Sequence, residues 1–197
     1  LIIISWLCLI FVSGINLIVF FGLFGIFVSI LSYLIFFVEK FNYIKIRILS
    51  FFDISSKNNF QSEKASEAII DGGFFGKGIG EGTLNSKIPE AHTDYIVSVI
   101  SEEFGIIIIL LIMISFVFFA YNIFKKIRDT NDNVFKLILV GLISLLMMQA
   151  FIHVGVNLRV LPTTGMTLPY LSYGGSSIIS ISIISGIILN LTKRRVY

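Results

Sequence analysis

The apolar stretch at residues 95–124, YIVSVISEEFGIIIILLIMISFVFFAYNIF, decides the fold, and it follows directly on the ionisable residues 89–94, PEAHTD. A helix of roughly 20 apolar residues, rising 1.5 Å per residue, crosses the ~30 Å hydrocarbon core of a bilayer. The stretch therefore predicts a membrane-spanning helix. Because charged groups beside hydrocarbon are costly and usually mark function, the Asp and His at this junction are the first candidates for a functional site.

The composition also indicates a membrane protein. The 197 residues are 56% hydrophobic and 14% charged, and the mean hydropathy is +0.94, whereas soluble domains are about 45–50% apolar. We predict an all-α, polytopic integral membrane helix bundle. The single cysteine, Cys8, lies in an apolar run, which excludes an internal disulfide and argues against a thiol-based metal site.

Other apolar runs predict the remaining spans. Three complete spans are expected at 17–38, 135–154 and 171–191, and 1–12 resembles the end of a span whose start is missing. With 95–124, this makes one partial and four complete helices, and residues 1–197 are expected to form a single membrane domain.

Basic residues in short loops predict the orientation, because such loops stay on the cytoplasmic side. One basic cluster, 125–128, follows the 95–124 span, and a second, 193–195, ends the chain. The loops 39–94 and 155–170 are therefore predicted to be extracytoplasmic and the C-terminus cytoplasmic. Since the positive charge is explained by topology, no nucleic-acid partner is predicted.

A polar stripe follows the 89–94 junction. Thr93 is suited to cap a helix, which would place Asp94 in the first turn, where the helix dipole favours a carboxylate. Helical spacing puts Ser98, Ser101 and Glu102 on the same side. A stripe of this kind must face a bundle interior or a water-filled cavity. It predicts either a carboxylate base at the mouth of an intramembrane cavity, or an interfacial cap with a buried ion pair.

A second stripe, Gln149, His153 and Asn157, recurs at i, i+4 and i+8 on the next predicted helix. A lone intramembrane His is more often a packing residue, but two facing stripes predict a shared cavity. In the following residues, 157–177, two prolines and several glycines prevent a regular helix. Irregular backbone at membrane depth occurs only where it is buried in protein or lines a cavity. Packing explains the small residues there but not Arg159.

The glycine-rich loop (residues 70–82, IDGGFFGKGIGEG) contains Lys77. Its spacing does not match a phosphate-binding P-loop, because Gly72 and Gly76 are too close together and Gly78 replaces the Ser or Thr after the lysine. Two interpretations remain. The loop is either a plain turn-rich connection or one whose backbone approaches a ligand closely, with Lys77 meeting a phosphate.

Three of these motifs resemble the SEDS family (shape, elongation, division and sporulation; the FtsW, RodA and SpoVE proteins). They are GGFFGKG at 72–78, PEAHTDY at 89–95 and LPYLSYGGSS at 168–177. Residues 162–169 are closer to the division-type FtsW members than to the elongation-type ones. The resemblance implies a ten-span protein of which this chain is roughly the second half. It also implies a peptidoglycan glycosyltransferase that polymerises lipid II during division and releases undecaprenyl pyrophosphate.

The resemblance assigns roles to residues and partners. The family's proposed catalytic carboxylate falls on Asp94. The expected partners are a class B penicillin-binding protein (a transpeptidase), divisome proteins and the substrate lipid II, and the expected location is the bacterial cytoplasmic (inner) membrane. A divalent cation, Mg²⁺ or Mn²⁺, is a candidate cofactor, with no metal ligands identified. Weaker candidates for substrate contacts are Lys77, His92, Ser98, Glu102, His153, Asn157, Arg159 and Ser176.

Two other functions remain open. A polar cavity between interrupted helices would also suit a lipid II flippase or transporter. A non-catalytic division scaffold that recruits a penicillin-binding protein is the third hypothesis. In each case we expect this fragment alone to be inactive.

Overall fold

The structure is a computed structural model that describes residues 1–52, 60–88 and 91–193. The motif residues Pro89 and Glu90 and the terminal Arg194 and Arg195 lie outside the described residues. The helices, in chain order, are α1 (Ile2–Val12), α2 (Leu17–Phe37), a 3₁₀ turn (Glu39–Phe41), α3 (Asn42–Phe52), α4 (Phe60–Gly72), α5 (Leu84–Lys87), α6 (Ala91–Asp94), α7 (Ile96–Phe104), α8 (Ile106–Arg128), α9 (Asn133–Asn157) and α10 (Gly175–Thr192).

Four of the helices in the described ranges, α2, α8, α9 and α10, are long and apolar enough to cross a membrane. The prediction of an all-α membrane bundle is confirmed, as no strand occurs among the described residues. The shorter apolar helix α1 packs along α9, where the side chain of Leu9 lies against Gly141. No residue of α2 is buried, so its apolar side chains are available to lipid.

Three clusters of buried apolar residues hold the bundle together. The first joins α4 to α7 around Ala65, Ala68 and Val99. The second packs α7 and α8 against α9, and the third packs α8 against α9 and α10. Since lipid is as apolar as these side chains, helices within the bilayer associate mainly by close packing and interhelical hydrogen bonds.

The prediction of one continuous span over 95–124 is wrong. Gly105 separates α7 from α8 with φ 85° and ψ 169°, a conformation open essentially only to glycine. At this point the amide of Ile106 donates to the carbonyl oxygen of Gly73, 3.0 Å away. A Cβ added at Gly105 would overlap the carbonyl oxygen of Phe74. The membrane-spanning helix therefore starts at Ile106, and α7 belongs to the region that precedes it.

The predicted helix cap at Thr93 is also wrong. Thr93 lies inside α6, and α7 is preceded by Tyr95, which makes no side-chain capping bond. The Tyr95 amide donates to the carbonyl oxygen of Ala91, and the Tyr95 carbonyl accepts from the amide of Val99. Because the chain stays nearly helical through this point, Thr93 has no open helix end to cap.

The predicted loop 39–94 is helical over most of its described length, with α3, α4, α5 and α6 in it. It contacts the second predicted loop in two places. Arg47 Nη1 donates to the carbonyl oxygen of Thr163 at 3.2 Å, and Arg159 Nη2 lies 3.5 Å from Glu63 Oε1. The two loops therefore lie on the same side of the bundle, as the span count predicts.

The predicted interruption after the second polar stripe is confirmed. Helix α9 continues to Asn157, and α10 begins at Gly175 rather than at 171. Residues 158–174, called the irregular segment below, contain two residues other than glycine with positive φ, Arg159 and Tyr170.

Candidate functional site: a carboxylate beside the irregular segment

Asp94 ends α6 and is partly exposed. A Cβ placed on Gly165 would lie 3.7 Å from Asp94 Oδ2, so the carboxylate faces the irregular segment. The same segment pairs with the residue two before Asp94, because the Tyr173 amide donates to the carbonyl oxygen of His92 at 3.2 Å. The carboxylate thus lies where the end of α6 meets the irregular segment.

Asn157 fixes α6 and α7 against α9. Its Oδ1 accepts from the Ser98 hydroxyl at 2.8 Å and from the Ser98 amide at 3.1 Å. Its Nδ2 donates to the carbonyl oxygens of Asp94, at 3.2 Å, and His153, at 2.8 Å. Both Asn157 and Ser98 are completely buried. The structure thus brings these two predicted residues to Asp94, but they hold its backbone and do not line an open cavity.

The rest of the second stripe holds the irregular segment. His153 Nδ1 donates to the carbonyl oxygen of Met166, and Gln149 Nε2 donates to that of Thr167 at 2.9 Å. Gln149 and Thr167 also share a contact with the hydroxyl of Ser177. Gln149 and His153 therefore fasten two consecutive residues of the irregular segment to α9.

Two further candidates, His92 and Ser176, are both exposed, but only His92 lies beside Asp94. His92 is exposed and packs edge-on against the ring of Tyr173, with centroids 6.4 Å apart, beside Asp94. Ser176 is exposed, and its carbonyl oxygen accepts from the Ser180 hydroxyl within α10. The serine that joins the buried network is its neighbour Ser177, which helical spacing alone did not single out.

Tyr95 places a neutral phenol beside Asp94. The side chain is 2% exposed, and its burial raises the pKa to about 12. The negative charge of Asp94 contributes to this rise in the pKa, and the positive charge of Arg47 opposes it. At neutral pH the phenol therefore stays protonated, and both charged side chains are close enough to act on it.

Glu102 lies about 12 Å along the helical path from Asp94, at eight residues of 1.5 Å rise. It is 1% exposed. Its carboxylate accepts from the amide of Thr83 at 3.0 Å, the hydroxyl of Thr83 at 3.1 Å, the amide of Leu84 at 3.0 Å and the ammonium of Lys77 at 3.2 Å. Burial alone would raise the pKa of Glu102, but these donors outweigh it and hold the pKa below its ordinary value.

Lys77 is engaged by carboxylates of the chain itself. Its ammonium lies 3.1 Å from Asp71 Oδ2 and 3.2 Å from Glu102 Oε1, and the hydrogen bonds to these two groups raise the pKa of Lys77. The glycine-rich loop also caps α7, because the amides of Lys77 and Gly78 donate to the carbonyl oxygens of Glu102 and Glu103. The close backbone approach predicted for this loop is made to α7, and the Lys77–Glu102 pair lies apart from Asp94.

Replacing Glu102 by Gln should lower the free energy of unfolding by about 2 kcal/mol, because charge-assisted hydrogen bonds are lost in a buried site. The matched control is Glu103→Gln, which alters a partly exposed neighbour and should change stability by no more than about 0.5 kcal/mol. Thermal unfolding of the complete protein in detergent measures both. Equal effects of the two changes would contradict a structural role for Glu102.

The same contact predicts a pH dependence. A carboxyl whose pKa is lower in the folded state stabilises the fold above its unfolded pKa, and the contribution is lost as pH falls through the folded pKa. Wild type should therefore lose stability below pH ~4.5, and Glu102→Gln should lose less over the same range. Parallel curves for the two proteins would show that another group is responsible.

The described residues contain no group of three or more His, Cys, Asp or Glu side chains placed to hold a metal ion.

Comparisons with known proteins agree with this architecture. The FtsW/RodA/SpoVE family model, described as cell cycle protein, matches residues 1–197. A probable peptidoglycan glycosyltransferase FtsW of Caulobacter vibrioides is 37% identical over 79% of this chain and 40% of its own length. The proteins of the same description from Geobacter metallireducens and Nitrosomonas europaea are each 36% identical, over 86% and 96% of this chain and 46% and 51% of their own lengths.

A solved structure shares the fold. It belongs to a peptidoglycan synthase complex that coordinates polymerisation and crosslinking, and it superposes with a TM-score of 0.70 at 24% identity over 95% of this chain and 52% of that one. The chain thus spans about half the length of the proteins that it matches, or somewhat less. Since the family model covers the chain from end to end, including the Asp94 junction and the irregular segment that faces it, this protein belongs to the FtsW/RodA/SpoVE family.

Proposed function

We propose that the complete protein to which this chain belongs is a division-type peptidoglycan glycosyltransferase. It would polymerise lipid II into glycan strands and release undecaprenyl pyrophosphate. The observation that carries the proposal is the partly exposed carboxylate of Asp94, whose backbone carbonyl accepts a hydrogen bond from Asn157 and which faces Gly165. The activity named for the relatives in Caulobacter, Geobacter and Nitrosomonas supports it.

Asp94 has the properties that a general base for this reaction needs. Extension of a glycan requires a group that takes the proton of the acceptor sugar hydroxyl as its oxygen bonds to the donor sugar carbon. The bond from that carbon to the diphosphate breaks at the same time, and the electron pair leaves with the diphosphate. The buried phenol of Tyr95 keeps its proton, so it does not compete for the proton that Asp94 accepts.

The orientation and partners belong to the same proposal. Loops 39–94 and 155–170 would face the outside of the cytoplasmic membrane, where the sugar headgroup of lipid II is available and its lipid tail stays in the bilayer. A class B penicillin-binding protein would crosslink the product, together with other divisome proteins. The membership of the structural relative in a synthase complex supports this pairing.

A reconstituted assay tests the function. The complete protein, purified and supplied with labelled lipid II, should form glycan polymers that are separated by gel electrophoresis and digested by a muramidase. Vesicles carrying lipid II in one leaflet measure lipid crossing in parallel. Crossing without polymer would favour the transporter, and absence of both with retained binding of the penicillin-binding protein would favour the scaffold. Either result would overturn the proposal.

A further inference from the structure

Two adjoining cavities lie between α3, the start of α4 and the irregular segment. The larger has a volume of about 570 Å³ and is lined by Arg47, Gln61 and Thr163, among others. The smaller shares Arg47 and Thr163 and adds Arg159. Neither arginine is involved in the contacts that hold Asp94 in place, and the sequence motifs did not single out Arg47.

Arg47 is positioned by its neighbours, and none of the salt bridges among the described residues involves it. Its Nη1 donates to the carbonyl oxygen of Thr163 at 3.2 Å, and its guanidinium lies over the ring of Tyr43, 5.6 Å from the centroid. Arg159 is paired with Glu63 at 3.5 Å. Two arginines and one carboxylate thus give the described wall of these cavities a net positive charge. The planar fork of a guanidinium suits the oxygens of a phosphate.

The cavities adjoin the surroundings of Asp94. Arg47 touches Thr163, and Asp94 faces Gly165 two residues later. Three consecutive residues span at most about 7 Å between their outer Cα atoms, so the guanidinium and the carboxylate are no more than about 18 Å apart. The effect of both charges on the Tyr95 phenol agrees with this spacing.

We propose that Arg47, assisted by Arg159, binds the diphosphate group of the lipid substrate, a subsite that rests on the glycosyltransferase function proposed above. In a direct displacement at a sugar carbon, the attacking and leaving groups lie on opposite faces of the ring. Asp94 takes the acceptor proton, and Arg47 stabilises the negative charge that develops on the departing diphosphate. Lys77 does not fill this role, since Asp71 and Glu102 already bind it.

The test measures binding of labelled undecaprenyl pyrophosphate to the complete protein in detergent. Arg47→Gln should weaken binding roughly 10- to 100-fold, as expected for the loss of charged hydrogen bonds. Arg47→Lys should fall between, because a point charge lacks the fork. The matched control is Lys45→Gln on the same helix, whose ammonium lies over the Phe36 ring, and it should bind as wild type does. Unchanged binding by Arg47→Gln would overturn the proposal.

Further measurements distinguish a failure of the proposed diphosphate subsite from a failure of the proposed glycosyltransferase function. Inorganic pyrophosphate should compete with the labelled lipid in wild type. Competition by undecaprenol, which has the same lipid chain but no phosphate, would show that the chain alone is recognised and would overturn the subsite. Asp94→Asn should bind the diphosphate normally. If wild type forms no polymer but Arg47→Gln still loses diphosphate binding, the subsite stands and the proposed function fails. If Arg47→Gln unfolds at a lower temperature than wild type, Arg159→Gln replaces it as the test of the subsite. Arg159→Gln should weaken diphosphate binding several-fold, and unchanged binding would overturn the proposal.

Discussion

Replacing Asp94 by Asn should lower the rate of lipid II polymerisation by about 10²- to 10⁴-fold, the range that general-base catalysis contributes. The amide keeps the shape of the carboxylate but cannot take the acceptor proton. The hydrogen bond between Asp94 and Asn157 Nδ2 uses the backbone carbonyl of Asp94, which the substitution leaves unchanged. Single-turnover polymerisation by the complete protein gives the rate, and its thermal unfolding checks the fold.

The matched control is Asp129→Asn, which makes the same change at the opposite end of α8 and should polymerise at the wild-type rate. In dividing cells, Asp94→Asn should fail to support division. Polymerisation within a factor of a few of wild type would contradict the base assignment. Normal division with no polymerisation would instead support the scaffold hypothesis.

Replacing Gly105 by Ala should lower the free energy of unfolding by about 3 kcal/mol or more. Two costs add here. The backbone conformation, φ 85° and ψ 169°, is strained for any residue with a Cβ, and the new Cβ would overlap the carbonyl oxygen of Phe74. Relief of the overlap would move the glycine-rich loop away from α7 and break the hydrogen bond from the Ile106 amide to Gly73. The thermal unfolding midpoint in detergent measures the loss.

Gly186→Ala is the matched control for this change. Gly186 lies in the middle of α10 with no atom within 4 Å of an added Cβ, and Ala has a higher helix propensity than Gly by about 1 kcal/mol. Its stability should stay at the wild-type value or rise. A loss at Gly186 equal to that at Gly105 would contradict the explanation from close contact and strain.

The helices that follow from apolar run length alone were predictable, and the break at Gly105 was not. A single glycine inside an apolar pattern is usually tolerated in a helix, and the preceding Glu102 and Glu103 do not by themselves specify a helix end. The cause lies some thirty residues away, in the carbonyl oxygens of Gly73 and Phe74 that approach it. Contacts of this kind depend on the folded arrangement and leave no periodic signal.

Only part of the candidate site was predictable, because residue spacing reports contacts along one helix but not contacts between distant elements. Helical spacing grouped Ser98 with Asp94, and it grouped His153 with Asn157, and the structure brings these residues together. It could not show that Glu102 would pair with Lys77 across the glycine-rich loop. Nor could it show that Arg47 would reach Thr163, 116 positions further along the chain. Residue spacing predicts neighbours on one helix, whereas both of these contacts join different elements.

The junction between the glycine-rich loop and α7 does not depend on the side chains of the two aromatic residues in that loop. Its hydrogen bonds are made by main-chain atoms of Gly73, Lys77 and Gly78, while the side chains of Phe74 and Phe75 are 71% and 85% exposed. Substitution of those two aromatic residues would leave every one of these bonds intact. A change at these two positions would therefore alter the surface beside the start of α8 without disturbing the main-chain junction beneath it.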